Sequence, residues 1–206
     1  PDLDPEYSLS YRASLEHTFF DKESDFQVSL RAGYFRNDFK DLIMEVETGE
    51  VIDEVPVFQK INIATAMTQG AEAELRFSFM DYLDLILAYT YLDTEDDEGD
   101  VLSYSPAHLL SSRIYLSSEV PKYTTTLLFS VEYAADRQYV DRFGDNMEQI
   151  EDYVYISASI NQMIYEYASL YLRIENLLDK EITLYEEGRL SRMDGLVLMG
   201  GARFVF

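Results

Sequence analysis

Along most of this chain the apolar residues fall on every second position. In 7–19 the odd positions carry Tyr7, Leu9, Tyr11, Ala13, Leu15 and Phe19, with His17 the exception. Ser8, Ser10, Arg12, Ser14, Glu16 and Thr18 fill the even ones. The segment 26–34 sets Phe26, Val28, Leu30, Ala32 and Tyr34 against Gln27, Ser29, Arg31 and Gly33. In 71–79, Ala71, Ala73, Leu75, Phe77 and Phe79 alternate with Glu72, Glu74, Arg76 and Ser78. The same beat runs near 83–93, 108–118, 123–135, 152–163 and 168–177, and it closes the sequence through Leu196, Leu198, Gly200, Ala202, Phe204 and Phe206. Period two over such lengths marks strands with one apolar and one polar face. The pattern predicts nine strands and essentially no helix.

The links between these segments alternate in length. "DKESD", "MDY", "SEVPK" and "IYEY" are short, whereas Thr48–Pro56, the acidic stretch "TEDDEGDVLSYSPA", Arg137–Glu151 and Asp179–Asp194 are long. Short turns at one end and long loops at the other describe an up-and-down meander. Transmembrane barrels have that asymmetry. Soluble β-sandwiches also alternate apolar and polar residues, but their strands are usually only about five or six residues long. Strands of ten or so residues are long enough to cross a bilayer when tilted.

Composition sharpens the choice. No run of apolar residues is long enough for a membrane-spanning helix, a test that a barrel evades because only alternate residues need be apolar. Of the aromatics, Phe19, Phe20, Phe77, Phe79, Tyr82, Tyr123, Tyr165, Tyr167, Phe204 and Phe206 fall beside the short turns. Tyr7, Tyr11, Tyr89, Tyr91, Tyr133, Tyr153 and Tyr155 fall toward the long loops. Two such bands are what the two bilayer interfaces select. A net charge of −23 argues against a nucleic-acid partner, which needs the opposite sign. With no cysteine there is no disulfide framework and no thiolate metal site.

Several segments, taken in order, resemble the TonB-dependent outer-membrane receptors. "PDLDPE" is similar to that family's lead into a downward strand, and "YFRNDFKDLI" (Tyr34–Ile43) to an upward strand. "NIATAMTQGAEAEL" (Asn62–Leu75) matches the family's N–x–x–x–A–x–x–x–G–x–E–x–E–L descent, and "AYTYLDT", "SPAHLLSSRIYL" and "NLLDKEI" follow in family order. The resemblance implies that residues 1–206 are the C-terminal part of a 22-stranded transmembrane antiparallel β-barrel. Nine strands are odd in number and too few to close such a barrel alone, and the two open edges would be prone to aggregation. The plug domain, the N-terminal barrel strands and the TonB-contacting segment are then expected upstream.

The function implied is energised uptake of a scarce ligand, such as a siderophore or cobalamin, across a Gram-negative-type outer membrane. A surface adhesin, a structural barrel or a soluble binding sandwich is the alternative. Lipid, the TonB energising complex and the outer-membrane assembly machinery are the implied partners, and no cofactor is implied. In this family the terminal aromatic looks like an assembly address, which falls here on Phe206 with Phe204 beside it.

The polar parity of a barrel points inward. Arg12, Arg31, Arg76, Arg113 and Arg173 are therefore the candidate lumen-facing ligand contacts, in company with Glu16, Glu72, Glu74, Glu132 and Glu175. An arginine facing mid-bilayer lipid instead would cost about 2–4 kcal/mol. Over Glu47–Pro56, Asp93–Pro106, Asp136–Asp152 and Leu178–Asp194, the long links with their flanking residues, lie 21 of the 39 acids, and acidic loops disfavour anionic ligands. The densest run, Asp93, Glu95, Asp96, Asp97, Glu98 and Asp100, could supply oxygens to calcium. It lacks the EF-hand spacing, and a solvated negative loop is the expectation. His17 and His108 are the only histidines and no base faces a nucleophile, so catalysis is not expected.

Overall fold

The computed structural model describes residues 3–19, 25–52, 55–96, 99, 101–102, 105–120, 122–140, 147–165, 167–186, 189–193 and 195–204. The strands are β1 (Tyr7–Thr18), β2 (Phe26–Ile52), β3 (Val55–Phe79), β4 (Leu83–Asp96), β5 (Pro106–Val120) and β6 (Tyr123–Val140), then β7 (Met147–Ile150), β8 (Tyr153–Ile164), β9 (Ala168–Glu175), β10 (Ile182–Glu186), β11 (Arg189–Met193) and β12 (Val197–Phe204). One sheet runs β1-β2-β3-β4-β5-β6-β8-β9-β12, with β7 added to the far end of β6, and β10 and β11 form a separate hairpin. All these pairings are antiparallel. The nine strands of the main path are the nine predicted from the two-residue beat, in the predicted order.

The sheet is a single layer. Leu9, Leu30, Leu75 and Leu172 remain 56%, 43%, 37% and 42% exposed, where a sandwich would bury them together. Most described side chains that are buried lie toward the long-loop end, among them Ala66, Thr94, Ala134, Ala135, Arg137, Asn176 and Ile182. Among the described residues there is therefore no central core, and the apolar surface needs another medium.

Register shows how cleanly the faces separate, because directly opposed residues share a face. One row runs Leu15–Ala32–Ala73–Tyr89–Leu110–Tyr133–Val154. The opposite face carries Glu16–Arg31–Glu74–Ala88–Ser111–Glu132–Tyr155.

At the short-turn end the turns bond one another. The Met80 amide donates to Asp25 O at 2.7 Å, Ser117 to Tyr82 O at 2.8 Å and Tyr165 to Lys122 O at 2.7 Å. Met80, Lys122 and Tyr165 take left-handed backbone angles there, as tight reversals require.

The long links differ from the sequence reading. The stretch expected to be a loop, Thr48–Pro56, instead carries the outer end of the β2–β3 ladder, where past a register shift between Glu47 and Val51 the residue Val51 lies opposite Pro56 and Ile52 opposite Val55. Part of Arg137–Glu151 extends β6 and pairs it with β7, and Asp179–Asp194 contains the β10–β11 hairpin. Backbone pairing of this kind needs no continuous apolar face, so these strands leave no two-residue beat to read.

Candidate functional site: the charged face and the long-loop end

The five predicted arginines lie on one face. Arg12 opposes Phe35, Arg31 opposes Glu74, Arg76 and Arg113 both oppose Ile86, and Arg173 opposes Ser159. Glu16, Glu72, Glu74, Glu132 and Glu175 share that face with them.

Their pairings divide them. Arg12 reaches across β2 to bond Glu72, passing a strand that carries Gly33 opposite Glu72. Arg173 pairs with Glu175 at 2.7 Å, and Arg76 lies 3.6 Å from Glu74. Arg31 and Arg113 have no ion-pair partner among the described residues. With the Arg12 side chain 62% exposed, its bridge contributes under about 1 kcal/mol. These pairs order the wall more than they stabilise it.

At the outer edge of the apolar face a polar rim begins. Tyr34 donates its hydroxyl proton to Gln69 Oε1 at 2.9 Å, and Gln69 Nε2 donates to Asp93 Oδ2 at 3.0 Å. Beyond Tyr34 the same parity of β2 turns charged at Arg36, Asp38 and Lys40, and Arg36 pairs with Asp38 at 2.8 Å. His108 also stands near this edge. Its Nδ1 lies 2.8 Å from the Tyr89 hydroxyl and its Nε2 3.5 Å from Asp136.

Tyr153 and Tyr155 do not join the outer aromatic band. They oppose Ala134 and Glu132 on the charged face, and Tyr153 donates to Glu132 at 2.6 Å. The short-turn aromatics Phe19, Phe79, Tyr82, Tyr123, Tyr165, Tyr167 and Phe204 stand exposed as expected. Phe20 and the terminal Phe206 lie outside the described residues.

The acidic run is split by its own strand. Asp93 opposes Gln69 and Glu95 opposes Met67 on one face, while Asp96 opposes Ala66 on the other. Asp97, Glu98 and Asp100 lie outside the described residues. Among the described residues no group of three or more acids or histidines is placed to hold a metal ion.

Three polar side chains whose contacts sequence reasoning missed hold the long-loop end together. Arg137, 4% exposed, donates to the carbonyls of Glu151 and Thr183 and lies 4.9 Å from the Tyr153 ring centre, so it ties the β10–β11 hairpin to β6 and β8. Asn176, fully buried with a left-handed backbone, donates to Lys180 O at 2.7 Å and Gly195 O at 3.1 Å. Asn62 donates to the Asp4 and Asp41 carbonyls and accepts from the Asp4 amide, which pins the segment before β1. Asn62 and Asn176 each begin a quoted motif, so their positions were visible although their contacts were not.

The TonB dependent receptor-like, beta-barrel family model matches residues 1–177. The chain belongs to that family. An iron-regulated outer membrane virulence protein of Vibrio cholerae is 28% identical over 204 residues, covering 91% of this chain and 29% of the relative. The siderophore receptor PirA of Acinetobacter baumannii superposes with a TM-score of 0.65 at 20% identity, over 100% of this chain and 32% of its own. A mutant ferric enterobactin receptor of Pseudomonas aeruginosa, in complex with enterobactin, gives 0.66 at 20% identity over 95% of this chain and 31% of its own. At that identity the two structures establish the fold. The chain spans less than a third of the length of these relatives.

Family membership places the sheet in a Gram-negative-type outer membrane, as part of a receptor barrel wall. Turned to lipid, the charged face would set arginines against hydrocarbon at about 2–4 kcal/mol each near mid-bilayer, a cost the apolar face does not carry.

Proposed function

We propose that this chain is the C-terminal part of the wall of an outer-membrane receptor that imports an iron–siderophore complex, energised through TonB. The observation that carries the reading is a nine-strand antiparallel sheet with Arg12, Arg31, Arg76, Arg113 and Arg173 and five glutamates on one face, in a family whose named relatives are iron-regulated or siderophore receptors. On this reading the long-loop end captures the ligand and the lumen conducts it inward. A resident plug, a TonB-contacting segment and the missing strands complete the machine.

The experiment is uptake of radiolabelled iron presented on a panel of catecholate and hydroxamate siderophores. The strain carries or lacks the full-length gene and is grown in iron limitation. Uptake of at least one complex should disappear with the gene and with loss of TonB. Unchanged uptake across the panel, together with lost adhesion to surfaces, would favour the adhesin alternative instead.

A further inference from the structure

The apolar face is interrupted at one place near the short turns. Ser118 on β5, Thr125 on β6 and Gln162 on β8 stand opposite one another in register on that face. Toward mid-sheet the next row is Leu116, Leu127 and Ile160, and toward the rim it is Val120, Tyr123 and Ile164. On β9 the polar row gives way again to Leu170. Thr125 donates its hydroxyl proton to Gln162 Oε1 at 2.7 Å, and Gln162 Nε2 donates to the Thr124 and Met163 carbonyls at 3.3 and 3.0 Å. The exposed Ser118 hydroxyl has no hydrogen-bond partner among the described residues. Facing bare hydrocarbon such a hydroxyl is costly; facing an acceptor it is not.

At the rim beside this row, the β5–β6 and β8–β9 turns flank a recess of about 640 Å³, with Glu119, Val120, Lys122, Tyr123, Tyr165 and Tyr167 in its lining. Val120 and Tyr123 belong to the apolar parity and Glu119 to the opposite one, so the recess wraps the rim. Lys122 Nζ stands 5.6 Å from the Tyr165 ring centre, and the Tyr123 ring lies 6.0 Å from the same ring. Glu119 and Lys122 are both exposed, and neither has an ion-pair partner among the described residues, each other included.

One acid and one base left unpaired in the same recess complement a zwitterion better than a simple anion. A lysine ammonium binds phosphate as a point charge, and tyrosine faces attract a cation. Aromatic rings at strand ends sit at headgroup level, and the short turns of such barrels are periplasmic. A two-residue step along a strand is about 7 Å, so β6 passes from Tyr123 to Thr125 to Leu127 as a lipid passes from headgroup to ester to chain. A free headgroup would leave the polar row and the leucines uncovered. We infer that these three levels seat one zwitterionic aminophospholipid of the periplasmic leaflet. Its phosphate lies on Lys122, its ammonium on Glu119 among the rings of Tyr123 and Tyr167, an ester carbonyl accepts from Ser118, and an acyl chain covers Leu116, Leu127 and Ile160. The inference rests on the apolar face meeting lipid and is independent of what the receptor imports.

The test uses the full-length receptor in phosphatidylcholine vesicles that carry a small fraction of photoreactive phosphatidylethanolamine, its diazirine near the head of one acyl chain. Matched phosphatidylglycerol and phosphatidylcholine probes are the controls: the first lacks the ammonium, and the second lacks N–H donors for Glu119. Heat-modifiable electrophoretic mobility first confirms that each variant is folded. The aminophospholipid should label the strands around Leu116, Leu127 and Ile160 several-fold more than either control. Lys122→Glu should remove most of that preference, Lys122→Arg should keep it, and Glu119→Lys should turn it toward phosphatidylglycerol. Equal labelling by all three probes would mean ordinary boundary lipid and overturn the seat, as would a preference indifferent to both charge reversals. Loss of the label on adding millimolar glycerophosphoethanolamine would assign the recess to a water-soluble headgroup and also overturn it. No label from any probe on these strands would show a face covered by protein, with the same consequence.

Discussion

Gly70 offers a sharp test of how the wall is assembled. It is buried on β3, on the charged face, directly opposite Phe35 and Leu92. A methyl group there would meet the backbone oxygen of Tyr91 at 2.1 Å and the Phe35 ring at 2.7 Å. The first distance is 1.3 Å short of the 3.4 Å at which ordinary contact begins, and the obstacle is backbone that cannot rotate away. Gly70→Ala must therefore part β3 from β4 locally. Overpacking of this kind costs about 1–3 kcal/mol, and each ladder hydrogen bond lost adds about 0.5–1.5 kcal/mol. A loss of about 2–4 kcal/mol is expected.

Gly200 is the control. Its added methyl would touch Leu172 Cδ1 and Tyr171 O at 3.5 Å, an ordinary contact, so Gly200→Ala should be neutral or stabilising by up to about 1 kcal/mol. Gly201→Ala falls between them, because its obstacle at 2.6 Å is the Tyr171 ring, which can turn aside. The assay is urea unfolding of the full-length receptor in lipid vesicles, read by heat-modifiable mobility. Equal midpoints for Gly70→Ala and Gly200→Ala would refute the reasoning.

Other outcomes follow from the same geometry. Arg137→Ala removes charge-assisted bonds to two carbonyls worth about 1.5–3 kcal/mol each, so amide exchange in the β10–β11 hairpin should quicken by tenfold or more while β1–β4 is unchanged; an unaltered hairpin would show that Arg137 is no tether. Deleting Phe206 from the full-length protein should lower its surface level with little change in ligand affinity, and normal levels in a heat-modifiability assay would exclude it as an assembly address. Removing calcium should leave protease cleavage around Asp93–Asp100 unchanged if the acidic run is simply solvated, whereas slower cleavage with calcium present would reveal a bound ion.

What the sequence made legible was the part of the chain that meets lipid. Leu30, Leu75 and Leu172 advertise their strands because hydrocarbon on one side and water on the other impose a period of two. The five arginines and five glutamates of the opposite parity share one face for the same reason. The ends beyond the bilayer lose that constraint. The β2–β3 extension and the β10–β11 hairpin are held by backbone pairing, which any sequence can make. Arg137 was equally hidden, because its partners are the main-chain carbonyls of Glu151 and Thr183, which no residue pattern announces.

Where the bilayer ends can be read from the point at which the parity fails. On β2 the apolar series runs from Phe26 to Tyr34 before Arg36 breaks it; on β3 it runs back from Phe79 to Ala71 before Gln69; on β4 it runs from Leu83 to Tyr91 before Asp93. Each series is close to the ~9–11 residues that a tilted strand needs to cross. The three breaks coincide in space, because Arg36 lies opposite Gln69 and Gln69 opposite Asp93, with Tyr34, Gln69 and Asp93 bonded in a line beside them. That line marks headgroup level. β2 has 27 residues in all, so well over half of it stands outside the membrane. At ~3.3 Å per residue its outer part is on the order of 60 Å long. On the proposed reading, much of the surface that first meets a ligand is then a paired hairpin anchored in the wall. Its shape is set by the β2–β3 register, with the irregularity between Glu47 and Val51, so capture should be sensitive to that ladder and not only to the side chains at its tip.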